Sequence, residues 1–204
     1  MFKRICLILG LAIAFPFSAF AVDGARLLQE VDRNLSPEYY ESYRKLINIE
    51  PSGAKKEFTL FTVKKGVDKV ASLFLAPASE KGRSTLRLGD NMWLYIPNIG
   101  KPIRITSLQS VVGGVFNNAD ILQLDYNAEY DVEKVEEKGN EYLLYLKAKT
   151  KTVAYDRLKM WANKDKKLPT KIECLTEANM LIKTLYFKDE VFSLTFMPNL
   201  ESLR

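Results

Sequence analysis

Through most of this chain apolar and polar residues alternate with a period of two, the spacing of a half-buried strand. Tyr142, Leu144 and Leu146 fall on one side of such a strand and Leu143, Tyr145 and Lys147 on the other, while Leu158 and Met160 oppose Arg157 and Lys159. Runs of this kind predict strands over Tyr43 to Ile49, Phe58 to Lys64, Lys69 to Leu75, Ser84 to Leu88 and Met92 to Ile96. A second series covers Tyr126 to Glu136, Glu141 to Lys149, Val153 to Trp161, Lys171 to Leu175, Leu181 to Phe187 and Phe192 to Phe196. Pro51-Ser52-Gly53, Lys65-Gly66, Lys138-Gly139-Asn140 and Asn163-Lys164-Asp165 divide them at antiparallel spacing. The period changes once, where Leu27, Leu28, Val31 and Leu35 repeat as on one face of a helix. Asp23 can cap that helix and Ser36-Pro37 ends it.

Several strands carry bulky apolar groups on both faces, as in Asn91-Met92-Trp93-Leu94-Tyr95. Both faces must then be covered, which a curved sheet wrapped around a helix achieves. A different texture follows Pro97. From Ser107 to Leu124 the chain is rich in small and polar residues, with Gly113-Gly114 ahead of Phe116, and reads as a soft flap beside a rigid aromatic strand. No repeat, low-complexity tract or linker interrupts the pattern. The expectation is a single domain over residues 22–204, mainly β with α: a strongly curved antiparallel sheet forming an incomplete, open barrel, covered by the first helix and the flap.

The first 21 residues change the setting. Lys3 and Arg4 precede the apolar run Ile5 to Phe17, and Ala19-Phe20-Ala21 supplies the small residues of a cleavage site, so residues 1–21 read as a signal peptide removed after Ala21. The run is shorter than the roughly 20 apolar residues of a span, and Cys6 stands at the wrong end for lipidation. Export is the expectation. The whole chain of 204 residues is 47% hydrophobic and 27% charged, enough for a core. Its formal charge of +5 includes Lys3 and Arg4; without them 28 basic and 25 acidic side chains leave +3, too mild and too interspersed for nucleic acid.

Candidate chemistry is thin. The chain has no histidine, which removes Ser-His-Asp and Cys-His catalysis and imidazole metal sites. Glycine-rich nucleotide motifs and calcium loops are absent. Past the leader only Cys174 remains, on one face with Ile172, and reads as a small buried strand residue. Glu133, Glu136 and Glu137 sit among lysines before a hairpin turn and read as solvated. The expectation is no catalytic residue, no metal, no cofactor and no enzyme.

Leu75 to Gly82 reads Leu-Ala-Pro-x-x-x-x-Gly, and Gly89 to Pro97 reads Gly-Asp-x-x-Trp-x-Tyr-x-Pro. Gly113 or Gly114 then precedes Phe116, Asp120 and Ile121. In these motifs, and in the order of helix, curved sheet, aromatic strand and flap, the chain resembles the LolA-like family of outer-membrane lipoprotein-sorting proteins. The flap departs from the family pattern, with Val112-Gly113-Gly114-Val115-Phe116-Asn117 in place of a Met-Gly-Ser-Asp-Phe sort of sequence. The resemblance implies an open barrel of the LolA/LolB kind with a short helical lid and an apolar interior that shelters acyl chains.

Under that resemblance the candidate cavity residues are Phe58, Leu60, Leu73, Leu75, Trp93, Tyr95, Leu144, Leu146 and Met160, with Gly113, Gly114 and Phe116 as lid. Either face of the Trp93 strand fits the interior. The lining is expected to be free of buried polar groups, and the protein to be a monomer. Three functions stay open: a periplasmic carrier of an acylated lipoprotein or lipid, passing it from an inner-membrane transporter to an outer-membrane receptor; a periplasmic binding or adaptor protein working with a membrane transporter; and a module that senses lipoproteins without moving them.

Overall fold

A computed structural model of the chain describes residues 22–50, 52–106, 110–111, 116–122 and 125–188. The leader over residues 1–21, the strand expected over Phe192 to Phe196, and Gly113 and Gly114 lie outside the described residues.

The chain opens with helix α1 (Gly24–Leu35), where the Asp23 carboxylate accepts the Arg26 N–H at 3.1 Å and so caps the first turn. Six strands follow as a meander: β1 (Tyr39–Ile49), β2 (Lys55–Lys65), β3 (Lys69–Ala76), β4 (Ser84–Leu88), β5 (Asn91–Tyr95) and β6 (Ile103–Ile105). They form one antiparallel sheet in sequence order. The flap supplies a two-residue pairing of β7 (Ser110–Val111) with β8 (Phe116–Asn117), then the short helices α2 (Asn118–Leu122) and α3 (Tyr126–Glu129). A second antiparallel sheet holds β9 (Tyr130–Lys138), β10 (Glu141–Ala148), β11 (Arg157–Asn163), β12 (Pro169–Leu175) and β13 (Leu181–Tyr186) in the order β13-β12-β11-β10-β9.

The architecture is mainly β and open, as the alternation predicts. The expected curved sheet is divided in two, and among the described residues neither β1 and β13 nor β6 and β9 are paired. Each sheet covers its inner face with a different helix. Leu27, Leu28 and Val31 of α1 join Leu144, Leu146, Leu158, Met160, Ile172 and Cys174 of the second sheet in one buried cluster. On the first sheet Phe58, Leu60 and Phe74 pack under Phe116 and Ile121, and Val70 and Met92 pack under Leu122. At roughly 25 cal/mol per Å² of apolar area these clusters are the main favourable term holding the helices to the sheets.

Two segments expected as strand are otherwise. Residues 126–129 form α3 because the Asp32 carboxylate of α1 accepts the N–H groups of Tyr126 (3.2 Å) and Asn127 (2.6 Å), a tertiary cap that local propensity does not reveal. Residues 153–156 precede β11 in a turn that sends Tyr155 inward to the flap. The quoted motifs build turns. Gly82 (φ +86°) donates its N–H to the Phe74 carbonyl at 3.0 Å, and a Cβ there would stand 3.0 Å from Pro97 Cγ, so the glycine of the first motif rests on the proline of the second.

Candidate functional site

Edge strands β1 and β13, each without a further partner among the described residues, face the same cavity, of about 1340 Å³. Alternation along β1 aims Tyr40, Ser42, Arg44, Leu46 and Asn48 toward it, and β13 contributes Lys183 and Leu185. Leu35, Leu158, Ile172, Cys174 and Phe187 supply apolar wall; Phe116, Ala119 and Asp120 bring the flap to its side. Most sites for small molecules enclose roughly 300–1,000 Å³. This one has room for a long or branched apolar ligand.

The flap is held from both sheets. From the first sheet the buried Arg44 guanidinium donates to the Ile121 carbonyl at the end of α2 and to Thr62 Oγ1 (3.1 Å). Beneath α2, register aligns Ser42, Thr62, Ser72 and Thr85 as a row of buried hydroxyls across four strands. Thr62 and Ser72 hydrogen-bond at 2.8 Å, and Ser72 Oγ reaches the Ile121 carbonyl at 3.5 Å. Burial lowers the Arg44 pKa, offset in part by Tyr40 and Tyr126 nearby.

From the second sheet, Lys183 of β13 forms a close, buried ion pair with Asp120 of α2. Tyr155 Oη donates toward the same carboxylate (3.1 and 3.2 Å), and Asn117 Nδ2 donates to Tyr155 Oη at 2.9 Å. Asn117 and Asp120 also close the start of α2 reciprocally: the Asn117 N–H reaches Asp120 Oδ2 at 2.9 Å, and the Asp120 N–H reaches Asn117 Oδ1 at 3.0 Å. Lys183 Nζ lies 5.0 Å from the Tyr155 ring centroid and 5.9 Å from that of Phe116.

Burial drives the other titrations around the cavity. The Cys174 thiol is pushed up to about 12, first by burial and then by the Asp120 charge, so it stays protonated at neutral pH. Burial also holds Tyr126, Tyr130 and Tyr155 well above the usual phenol range. Asp32 is pushed up to about 7 by burial, and Lys64, held by Ser36 through 2.9 and 2.8 Å hydrogen bonds, is lowered by burial. Among the described residues no cluster of acidic and cysteine ligands could hold a metal ion.

The sequence candidates divide into three groups. Phe58 and Leu60 meet Phe116 in the first-sheet cluster, with the Phe58 and Phe116 rings edge to face at 6.3 Å. Leu144, Leu146 and Met160 lie under α1 in the second-sheet cluster. Leu73, Leu75, Trp93 and Tyr95 fall on the outer face, opposite the buried Phe74 and Met92, with Leu73 and Tyr95 38% exposed. Of the residues chosen from sequence, Phe116 lines the cavity. The wall that β1 contributes was missed. Its signal was present as the alternation Tyr40, Ser42, Arg44, Leu46, Asn48, but that face is largely polar, and hydrophobic alternation marks only apolar faces.

A protein family described as "Uncharacterized protein" matches residues 66–191. The chain belongs to that family. No curated protein matches by sequence. Among solved structures, a LolA superfamily protein from Nitrosomonas europaea is similar at TM-score 0.70 and 24% identity, with 85% of this chain and 81% of that one covered. A putative outer membrane lipoprotein-sorting protein domain from Vibrio parahaemolyticus gives TM-score 0.66 and 20% identity over 84% and 79%. A DUF1329 family protein from Desulfovibrio piger gives 0.64 and 25% over 81% and 78%. The fold is LolA-like.

Proposed function

We propose that this protein is a non-enzymatic periplasmic carrier that takes acyl chains, as a lipid or an acylated lipoprotein, into the cleft between β1 and β13. The observation that carries the reading is the cavity of about 1340 Å³ at two sheet edges that are unpaired among the described residues, walled on one side by Leu158, Ile172, Leu185 and Phe187. Its LolA-like fold supports the same reading. Each methylene moved from water into such a wall contributes about 0.8 kcal/mol, so a single enclosed chain gives ample affinity. Residues 22–204 act as one binding domain once the leader is removed. An inner-membrane transporter as donor and an outer-membrane receptor as acceptor complete the proposed route.

The flap is the gate in this reading. Phe116 occupies the cavity side of the first-sheet cluster, and a ligand competes with it for that space. Phe116→Ala is therefore expected to slow ligand release.

Mass spectrometry of lipid extracted from the purified periplasmic protein tests the carrier. Acylated species are expected from wild type, and Ala119→Trp, which fills the cavity from the flap side, should lose them while keeping the native circular dichroism spectrum. Lipid retained at equal occupancy by a folded Ala119→Trp protein, or absent from wild type, overturns the assignment.

A further inference from the structure

The cleft is apolar on one wall only. On β1, Tyr40 (5% exposed), Ser42 (9%) and Asn48 (8%) line the cavity, and Tyr40 Oη, Ser42 Oγ and Asn48 Nδ2 are buried with no hydrogen-bond partner. All three can donate, and all share the inward face of one strand. Across the cleft Leu158, Ile172, Leu185 and Phe187 have no side-chain polar atom to offer them, and Lys183 and Tyr155 are engaged with Asp120. Arg44, between them on β1, is engaged with Ile121 and Thr62.

Tyr40 Oη, Ser42 Oγ and Asn48 Nδ2 are closed to water, so the empty protein leaves them unsatisfied. A plain hydrocarbon entering the cleft would leave them so and keep that cost. A ligand that brings acceptors of its own escapes this penalty. Tyr40 and Ser42 stand two residues apart, about 7 Å along the strand, within reach of two carbonyl oxygens on neighbouring chains of one molecule. We propose that the ligand is an ester-linked acyl lipid, recognised by donation from Tyr40 and Ser42 to its ester carbonyls, with Asn48 as a further donor along the same wall. Acyl tails then lie against the apolar wall and the linkage against β1. The inference rests on the acyl-carrier reading and adds to it a chemical requirement: the cleft selects the linkage as well as the chain.

Two probes that differ only at the linkage test this: dipalmitoyl phosphatidylglycerol and its dihexadecyl ether counterpart, which lacks both carbonyls. The full periplasmic protein, delipidated, is expected to bind the diester about tenfold more tightly than the diether. Tyr40→Phe/Ser42→Ala should bind the two within about twofold of each other. Its empty form should also melt at a higher temperature than wild type, because two unsatisfied buried hydroxyls are gone. Equal binding of diester and diether by wild type overturns the inference while leaving the carrier standing, and so does an ester preference that survives in the folded double variant. If neither lipid binds, the carrier reading fails and the inference with it. The wild-type comparison decides the matter even if the double variant does not fold.

Discussion

Asp32 titrates against the usual direction for a structural carboxylate. It sits on the buried face of α1, and burial pushes it up to about 7, with the Asp125 charge adding to the shift. The N–H groups of Asn127 and Tyr126 and the ammonium of Lys64 pull the other way, and burial outweighs them. In the unfolded chain an aspartate ionises near pH 4. Below about pH 4 both states are protonated and the contribution of Asp32 is fully present. Between about pH 4 and 7 the folded protein keeps a proton that the unfolded chain has released, so stability falls as pH rises, by about 1.4 kcal/mol per pH unit. Over the whole window the loss reaches about 4 kcal/mol; above about pH 7 it levels off. The comparison that isolates it is urea unfolding of wild type against Asp32→Asn, which cannot ionise but can still accept a hydrogen bond from α3. The wild-type stability minus that of the variant should decline from pH 4 to 7 and then stay flat. A difference that grows with pH, or does not change, would refute the argument, because it would mean that Lys64 and the α3 N–H groups hold Asp32 ionised.

The flap clasp should behave as a buried ion pair: Lys183→Met is expected to cost about 3 kcal/mol by leaving Asp120 uncompensated, and Asp120→Asn/Lys183→Met less than that, with hydrogen exchange over residues 116–122 accelerated in the single variant. Cys174, buried and protonated, should resist maleimide in the native protein, and Cys174→Ser should lower stability by about 1–3 kcal/mol in urea by placing a hydroxyl in an apolar cluster. At Gly24 a Cβ would stand 2.7 Å from Val132 Cγ1 and 2.9 Å from Val135 Cγ2, so Gly24→Val should lower the melting temperature through overpacking of about 1–3 kcal/mol; an unchanged transition would mean that β9 yields freely.

What could be read from the sequence was whatever declares itself locally. Asp23 and the stripe from Leu27 to Leu35 place α1 to within a residue, and Ser84–Leu88 is bounded by turns on both sides and falls where expected. Tyr126 to Glu129 was lost to a helix because its cap, Asp32, lies almost a hundred positions earlier. The site was less legible for a related reason. Trp93 and Tyr95 are the bulkiest residues of their strand, yet the register that buries Met92 turns them outward, as burial of Phe74 does Leu73. The clasp joins residues 120, 155 and 183 from three elements, and no local spacing connects them.

The unpaired edge of β1 has a consequence for handling and for life in a crowded compartment. Among the described residues no strand pairs with the outer edge of its eleven residues, and the outward-alternating side chains include Tyr39, Tyr43, Ile47 and Ile49, all exposed. Such an edge is a template for pairing with another chain, and Glu41 and Lys45 are the charges along its outward face that oppose it. In the carrier reading proposed above, the opening that admits cargo is also the place where two molecules can zip together. Occupancy then protects the protein as well as the passenger: the empty form should be the aggregating one, and the tendency should rise with salt as the guarding charges are screened.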